Sequence, residues 1–177
     1  MFCTVLHSLK SPQNVGTIVR SHVAFGGGSV VFVGQRRPWE FRKGTQAFSR
    51  KLERLAELIF LADDDSFFSW CSSHGYSPIA IEIAAAAAQL PGFAFPARPA
   101  IVVGSEAAGL SSAFLRRCEH IVAIPQFGPA ECLNVGVSCS IALYELNRQR
   151  SDRNVVIGHK YEPAQAANKQ LQRTGHA

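Results

Sequence analysis

Apolar segments of four to seven residues alternate with amphipathic segments along the first 150 residues of the chain. Short apolar runs bounded by turn residues are typical of buried strands. Six of them predict strands: Cys3–Leu6, Val30–Val33, Leu58–Leu61, Ser77–Ile83, Ala100–Val103 and His120–Ile124. Strands that are apolar on both faces and alternate with helices favour a single α/β domain over residues 1–150, with a mostly parallel sheet and helices on both faces.

Four segments carry the signals of helices. Ser11 and Pro12 occupy the N-cap and N1 positions that these residue types favour, and Gly26–Gly28 marks the end of that helix. The other helices are predicted from Asp63–Asp65 to about Ser73, at Ser111–Arg116 and at Asn134–Arg148. The last of them is apolar or small at nearly every position, which predicts that it is buried on most sides.

Polar residues dominate after residue 150, where the apolar periodicity ends. Such a segment buries too little apolar surface to fold, so we expect Ser151–Ala177 to be a mobile tail with a transient helix near Pro163–Gln172. The alanine run Ala84–Ala88 is interpreted as a connector or a short helix.

The bulk composition is that of a globular protein, because 47% of the 177 residues are hydrophobic and 18% are charged. The apolar run at Ile83–Ala88 is too short to span a bilayer, and Met1–Val5 has no signal-peptide n-region. We therefore expect a cytoplasmic protein without a membrane segment. The five cysteines share no Cys-x-x-Cys spacing, which argues against a disulfide framework and against a zinc site.

Positive charge is concentrated between Arg36 and Arg54. This segment holds seven basic and two acidic residues, an excess equal to the chain's whole net charge of +5. Trp39, Phe41 and Phe48 interleave with the charges, and cations mixed with aromatic rings suit phosphate binding and base stacking. The candidate nucleic-acid contacts are Arg36, Arg37, Arg42 and Lys43. The alternative interpretation is a solvated loop and helix face.

The first candidate site segment lies in the opening helix. Asn14 can hold a polar group near the strand ends, and Arg20 follows Gly16 by one turn on the same face. Glycine inside a helix costs about 1 kcal/mol relative to alanine, so Gly16 is expected to serve close packing or to leave room beside the guanidinium. The alternative is a capping Asn and a surface Arg.

Two further candidate segments follow buried strands. Ala100–Val103 runs into a glycine-bounded loop that carries one carboxylate, Glu106, and ligands bind at the carboxyl ends of strands in open α/β sheets. The alternative is a structural turn in which Glu106 is a cap. In the third segment, Ile124–Glu145, a polar loop leads to the last helix, whose free N–H groups near Asn134 favour polar ligands or anions.

Cys132 and Asp63–Asp65 each have a competing interpretation. A cysteine in a polar loop invites a nucleophilic role, but no histidine is close in sequence, and buried cysteine commonly packs as a small hydrophobe. Contiguous carboxylates before a helix usually cap it and carry solvated charge, so we predict no metal site at Asp63–Asp65.

Together the three segments resemble the SpoU/TrmH branch of the SPOUT RNA methyltransferases, with the motifs in the same order over about residues 3–148. The matching residues are Asn14, Gly16, Arg20, Phe25 and Gly26 in the first motif, Gly104, Glu106, Gly109 and Leu110 in the second, and Ile124, Pro125, Leu133, Asn134 and Val135 in the third. Cys132 stands where the family usually has Ser, and a thiol is a weaker hydrogen-bond partner than a hydroxyl. A contact to the cofactor or the ribose is therefore expected to be weaker or rearranged.

The resemblance implies a C-terminal trefoil knot and a homodimer. It also implies methyl transfer, without a metal, from S-adenosylmethionine to a ribose 2′-hydroxyl of RNA, with tRNA or rRNA as the substrate class. By position, the cofactor contacts are Ile81, Gly104, Gly109, Ile124, Pro125, Cys132 and Leu133. The RNA is expected to be gripped by the core, by the basic segment and by the partner subunit.

The resemblance further implies that Arg20 acts on the 2′-hydroxyl, with Asn14, Glu106 and Asn134 orienting Arg20 and the ribose. A guanidinium pKa above about 12 makes free Arg a poor base, so we favour a role in positioning and in stabilising alkoxide charge, although the sequence leaves both roles open. Two other classes of function are considered. One is an RNA-binding or assembly protein on the same fold that has lost catalysis, and the other is a different α/β nucleotide- or metabolite-binding enzyme.

Overall fold

Seven strands of the protein form one sheet. The structure, a computed structural model, describes residues 1–34 and 39–150. The strands are β1 (Cys3–His7), β2 (Ser29–Val33), β3 (Glu57–Leu61), β4 (Ser77–Ile81), β5 (Ala88–Gln89), β6 (Pro99–Val103) and β7 (His120–Ala123). They lie in the order β3-β2-β1-β6-β4-β7-β5, and each pairing between them is parallel. Six strands were predicted, and the two-residue β5 is too short for a periodic signal.

Five helices accompany the sheet: α1 (Pro12–Ala24), α2 (Lys43–Ser49), α3 (Asp64–His74), α4 (Ser112–Leu115) and α5 (Val135–Arg148). Four of these helices lie where the sequence predicted them. The side chains of Ser11, Asp63, Ser111 and Asn134 each accept a hydrogen bond from a backbone N–H of the first turn. The short helix α2, inside the basic segment, was not predicted, because no capping side chain announces it.

Helices cover both faces of the sheet, as the strand pattern predicted. Alternate residues of each strand point to opposite faces, so the core divides in two. On one face, Phe32 and Leu6 pack in a cluster with residues of α1 and α5. On the other, Val31 and Val5 pack with residues of α3 and α4.

Helix α1 lies between α2 and α5, and a glycine permits its contact with α2. A Cβ atom on Gly16 would lie 2.6 Å from the carbonyl oxygen of Thr45 and 2.7 Å from Cβ of Phe48, so Gly16 serves close packing against α2. On α5, a Cβ atom on Gly136 would lie 3.4 Å from the side chain of Thr17. The contact with α2 therefore depends on the glycine, whereas a Cβ atom on Gly136 would make an ordinary van der Waals contact with Thr17.

The predictions for the last helix, the alanine run and the tail have different outcomes. Helix α5 buries one face only, while Val137, Ile141 and Tyr144 are exposed by 46%, 37% and 59%. The alanine run is a connector up to Ala87, and its last residue begins β5. The predicted tail lies outside the described residues, and the trefoil knot remains a prediction. Within the described ranges, no helix has the length and apolarity needed to cross a bilayer.

Candidate functional site

The three candidate segments meet at the carboxyl edge of the sheet, around the central strands β6, β4 and β7. They enclose a cavity of about 470 Å³, hereafter the main cavity. Its walls come from the start of α1, from the loops after β4 and β6, and from the loop between β7 and α5. The lining residues are Asn14, Ile81, Glu82, Ile83, Val103, Gly104, Ser105, Glu106, Ala107, Ala108, Gly109, Ile124, Gln126, Cys132, Leu133, Asn134, Val135 and Ser138.

A chain of hydrogen bonds joins the three segments. The side-chain amide of Asn134 donates to Oδ1 of Asn14 at 3.0 Å, and Nδ2 of Asn14 donates to Oε1 of Glu106 at 3.0 Å. At the other end, Oδ1 of Asn134 accepts from the backbone N–H of Gly136 at 2.9 Å. Each side chain thus fixes the next, and we call these three side chains, Glu106, Asn14 and Asn134, the polar relay.

The carboxylate of Glu106 is held in its ionised form. It accepts the backbone N–H groups of Lys10 at 3.1 Å and Ser11 at 3.0 Å in addition to the amide of Asn14. Burial raises the pKa of Glu106, but these hydrogen bonds, with one from its own backbone, outweigh that effect and leave the pKa below its ordinary value. Glu106 therefore anchors the loop before α1, whereas the helix that follows it, α4, is capped by Ser111.

Close backbone packing shapes the loop after β6. A Cβ atom on Gly104 would lie 2.3 Å from the carbonyl carbon of Gly109, so only glycine allows the loop to fold back on the strand end. Gly109 itself has a φ of 62°, in the left-handed region that favours glycine. These contacts explain why both glycines of the second motif line the main cavity.

Glu82 is a wall residue that sequence reasoning missed. Its Oε2 accepts the backbone N–H of Leu110 at 3.0 Å, and its Oε1 accepts that of Ile83 at 3.0 Å. The predicted strand extended to Ile83 and so placed Glu82 inside a strand. In the structure β4 ends at Ile81, which puts Glu82 directly at the carboxyl edge, where a polar residue is a signal for a ligand site.

Six of the seven predicted cofactor contacts line the main cavity, namely Ile81, Gly104, Gly109, Ile124, Cys132 and Leu133. Pro125 is not among its lining residues. Cys132 is exposed, so it is not the buried apolar cysteine of the alternative interpretation. No histidine is among the lining residues that could activate its thiol, so a nucleophilic role has no histidine base at this cavity.

Arg20 lies apart from the polar relay within one chain. It is exposed on α1 and lines a separate depression of about 530 Å³ between α1 and α2. The other lining residues are Thr17, Ser21, Ala24 and Phe25 on the side of α1, and Ala47, Phe48 and Arg50 on the side of α2. We call it the α1–α2 depression. A single copy of the chain therefore brings three of the four predicted catalytic residues together, and the fourth lies on the outer side of α1.

The predicted nucleic-acid contacts are placed unevenly. Arg36 and Arg37 lie outside the described residues. Arg42 is paired with Glu40 at 2.6 Å, and Lys43 is exposed in the first turn of α2. Among the predicted stacking rings, Trp39 and Phe41 pack against the core beside Phe32, whereas Phe48 is 38% exposed.

Metal-binding side chains do not gather in the described part of the chain: no three of His, Cys, Asp and Glu lie together in an arrangement that could hold an ion. The carboxylates Asp63–Asp65 have other partners. Asp63 caps α3, Asp64 contacts Nε2 of His7 at 2.8 Å, and Asp65 pairs with Arg117 at 2.7 Å.

The sequence matches the SpoU rRNA Methylase family over residues 1–144, and the chain belongs to that family. It is 31% identical over 150 residues to the 23S rRNA (guanosine-2'-O-)-methyltransferase RlmB of Coxiella burnetii, a match that covers 82% of this chain and 58% of the relative. The chain spans about half the length of the curated relatives that it matches.

Solved structures share the fold. One is an RNA 2'-O ribose methyltransferase, with a TM-score of 0.73 and 29% identity over 84% of this chain and 56% of that chain. Another is an AdoMet-bound rRNA methyltransferase from Sinorhizobium meliloti, with a TM-score of 0.76 and 24% identity over 83% of this chain and 56% of that chain. The second likeness is one of fold, and it agrees with the parallel sheet described above.

Proposed function

We propose that this protein is an S-adenosylmethionine-dependent RNA methyltransferase of the cytoplasm that modifies a ribose 2′-hydroxyl of tRNA or rRNA. The observation that carries the proposal is the polar relay at the mouth of the main cavity. All three family motifs contribute a side chain to it, and the same motifs supply the cavity walls. Relatives that are named as RNA 2′-O-methyltransferases support the reaction class.

The main cavity suits the cofactor in size, polarity and charge. Its volume of about 470 Å³ falls within the range of small-molecule sites, roughly 300–1,000 Å³. Ile81, Ile124 and Leu133 offer apolar surface, while the carboxylates of Glu82 and Glu106 favour a cationic ligand. When bound, S-adenosylmethionine supplies a methyl group already activated by its sulfonium charge.

A homodimer accounts for the distance between Arg20 and the polar relay. The exposed apolar residues of α5, Val137, Ile141 and Tyr144, form a stripe spaced by about one turn, and such a surface favours burial against a second copy. In the proposed dimer, Arg20 of one copy faces the main cavity of the other, and the reacting ribose lies between them. The active site is then incomplete in a monomer.

In this arrangement the side chains have separate tasks. The polar relay holds the loop after β6 and the start of α5 in one geometry, which aligns the bound groups for transfer. Arg20 positions the ribose hydroxyl and stabilises the negative charge that develops on its oxygen. Because a guanidinium stays protonated in proteins and has no acceptor for a proton, Arg20 is assigned this electrostatic role rather than that of the base.

A second candidate function is an RNA-binding protein on the same fold that has lost catalysis. The observation in its favour is Cys132, which occupies the position of the usual Ser and lines the main cavity with a weaker hydrogen-bonding group. Cofactor binding and methyl transfer separate the two candidates, because the second requires neither.

The test of the proposal combines calorimetry and methyl transfer. Titration with S-adenosylmethionine in the presence of a chelator is expected to give heat and to raise the melting temperature, because binding to the native state stabilises it. Radiolabelled methyl groups are expected to enter bulk tRNA or rRNA from cells that lack this protein. Binding of the RNA without heat from the cofactor and without methyl transfer would favour the second candidate.

Variants of Arg20 and Cys132 test the assigned roles. Arg20→Ala is expected to abolish methyl transfer with little change in cofactor affinity, and Arg20→Lys is expected to rescue poorly because a point charge cannot reproduce the planar guanidinium. Cys132→Ser is expected to keep or increase activity, since it restores a hydroxyl. An inactive Cys132→Ser protein that still binds the cofactor would support covalent catalysis, and an active Arg20→Ala protein would contradict the role of Arg20.

A further inference from the structure

The α1–α2 depression is a second concave site, separate from the main cavity. Its volume is about 530 Å³, and it opens where the exposed face of α1 meets the end of α2. Arg20 and Ser21 line it from α1, and Phe48 and Arg50 line it from α2 and the residue that follows. None of its lining residues is acidic, so its charge is positive.

Neither guanidinium group at this depression has an ion-pair partner among the residues that the structure describes. Among the residues that the structure describes, Arg20 and Arg50 form no ion pair and no side-chain hydrogen bond, and both are exposed. Other arginines are compensated, as Arg42 is by Glu40 and Arg148 is by Glu145. Two unpaired cations that line one concave site raise its affinity for anions, and two guanidinium groups suit the oxygen atoms of a phosphate.

Phe48 adds a stacking surface to the same site. Its Cβ packs against α1 at Gly16, yet 38% of the residue is exposed, and it lines the depression two residues before Arg50. Arg50 ends α2 in the left-handed region with φ 57° and ψ 31°, so the chain reverses there and its side chain lines the depression beside the ring. An aromatic face next to cations is the combination that binds an unpaired base together with its phosphate.

We infer that the α1–α2 depression binds one nucleotide of the RNA next to the reacting one. Arg50 holds its phosphodiester, Arg20 adds positive charge beside that phosphate while it positions the reacting hydroxyl, and Phe48 stacks on its base. The inference rests on the proposed function and extends it, because it adds a binding site for a second nucleotide outside the main cavity. It also implies a single-stranded or looped target, since bases in a paired helix do not expose a face for stacking.

The experiment measures affinity for a fluorescently labelled single-stranded RNA of mixed sequence by anisotropy over a range of salt concentrations. Arg50→Gln is expected to weaken binding about fivefold near physiological salt and to lower the slope of log affinity against log salt by roughly one unit, the value for one lost phosphate contact. The matched control is Lys51→Gln. Lys51 has the same left-handed backbone and the same charge, but it does not line the depression, and a change below about twofold is expected.

Phe48 is tested with a conservative pair of variants. Phe48→Tyr keeps the ring and is expected to keep affinity, whereas Phe48→Leu keeps an apolar side chain against Gly16 but loses stacking and is expected to weaken binding about fivefold or more. Thermal unfolding of each variant separates binding from folding. Arg50→Gly serves as a further check, because glycine accepts the left-handed backbone without strain and is expected to keep or raise the melting temperature while it lowers affinity.

Several outcomes would overturn the inference. One is an Arg50→Gln protein with unchanged RNA affinity and salt slope. A second is a Lys51→Gln protein that loses as much RNA affinity as Arg50→Gln does. A third is an Arg50→Gln protein that loses its dimer in light scattering but keeps its RNA affinity. A wild-type protein that fails to bind the RNA would also overturn the inference. Cofactor calorimetry and methyl transfer are measured on the same proteins, so a site that binds RNA in a protein without activity would leave the inference standing and refute the proposed function.

Discussion

The polar relay shows why amide side chains occupy two positions of the site. Asn14 donates to the carboxylate of Glu106 and accepts from Asn134, which in turn accepts from the first turn of α5. An amide has both a donor and an acceptor, whereas a carboxylate has acceptors alone. From the N–H of α5 through Asn134 and Asn14 to Glu106, each donor therefore meets an acceptor. These hydrogen bonds fix the loop after β6 to both helices.

Asn14→Asp is expected to destabilise the protein at neutral pH by about 2–4 kcal/mol, because it removes a donor and places two carboxylates in contact. The added carboxyl has its pKa raised by the charge of Glu106, so part of the stability returns as the pH falls and the proton binds. Thermal unfolding at neutral and mildly acidic pH measures both effects. The control is Gln13→Asp, which adds the same charge at an exposed position of the same first turn and is expected to be neutral or slightly stabilising.

His22 is a fully buried titratable side chain away from the site, where its Nδ1 is hydrogen-bonded to Oγ1 of Thr4 at 2.8 Å. Burial lowers the pKa of His22 from 6.5 to about 4. The unfolded chain therefore binds a proton before the folded one does, and stability is lost as the pH falls from 6.5 towards 4. The loss over that interval is expected to be about 3 kcal/mol.

Denaturant unfolding at a series of pH values measures this slope. His22→Gln is expected to be less stable at neutral pH, since the buried position is tightly packed, but to show a shallower decline below pH 6.5. A wild-type protein whose stability is flat between neutral pH and about pH 4 would contradict the assignment, as would a His22→Gln protein with the same slope.

Packing between helices decides how the elements of this domain sit around the site. Helix α1 carries Asn14 on the side of the main cavity and Gly16 on the side of α2, with Arg20 one turn further on. The close contact at Gly16 holds α2 in place, and with it Phe48 and Arg50. The α1–α2 depression thus depends on one missing side chain at a helix crossing.

Gly16→Ala is expected to destabilise the protein by about 1–3 kcal/mol, although alanine is the better helix former. The added methyl group would meet the backbone of Thr45 and Ser49, which cannot move away without shifting α2. The control is Gly44→Ala, because the nearest atom to a Cβ there is Cβ of Pro12 at 4.0 Å. That variant is expected to be neutral or stabilised by up to about 1 kcal/mol in urea unfolding. Equal effects of the two substitutions would contradict the packing role of Gly16.

At the level of the whole molecule, the proposed active site requires a second copy of the chain. Three predicted catalytic residues form the polar relay, while Arg20 lies on the outer side of α1. The exposed apolar stripe of α5 lies next to α1, and Ser21 of α1 is hydrogen-bonded to Ser140 of α5 at 2.8 Å. The two helices therefore present one continuous surface, which we expect to form the dimer interface.

Ile141→Asp is expected to raise the dimer dissociation constant about 10- to 100-fold, because dimerisation would bury an unpaired carboxylate. Light scattering over a range of protein concentrations measures the shift. Leu55→Asp is the control, since Leu55 is an exposed apolar residue outside α5 and is expected to leave the dimer intact. A wild-type protein that is monomeric at micromolar concentration would refute the interface and the proposed composition of the active site.

The order of most strands and helices, the caps at Ser11, Asp63 and Asn134 and the three motif segments could be read from the sequence, because each depends on neighbours within a few positions. Strand Val30–Val33 is apolar at each position, and Ser11 precedes a proline. Among the strands and α-helices that the structure describes, two were not predicted. Helix α2 has no capping side chain, and β5 is two residues long and takes its place from its pairing with β7. Local pattern carries no signal for either.

Only the tertiary structure decided which of these residues meet. Asn14 and Glu106 lie 92 positions apart, and they are hydrogen-bonded because β6 lies beside β1 in the sheet. The same sheet order brings the end of β4, and with it Glu82, to the main cavity. Arg20 stays outside the main cavity, because it lies on the side of α1 that faces α2. Hydrophobic periodicity reports whether a residue is buried but not which strand lies beside which, so the motifs were visible in the sequence and their geometry was not.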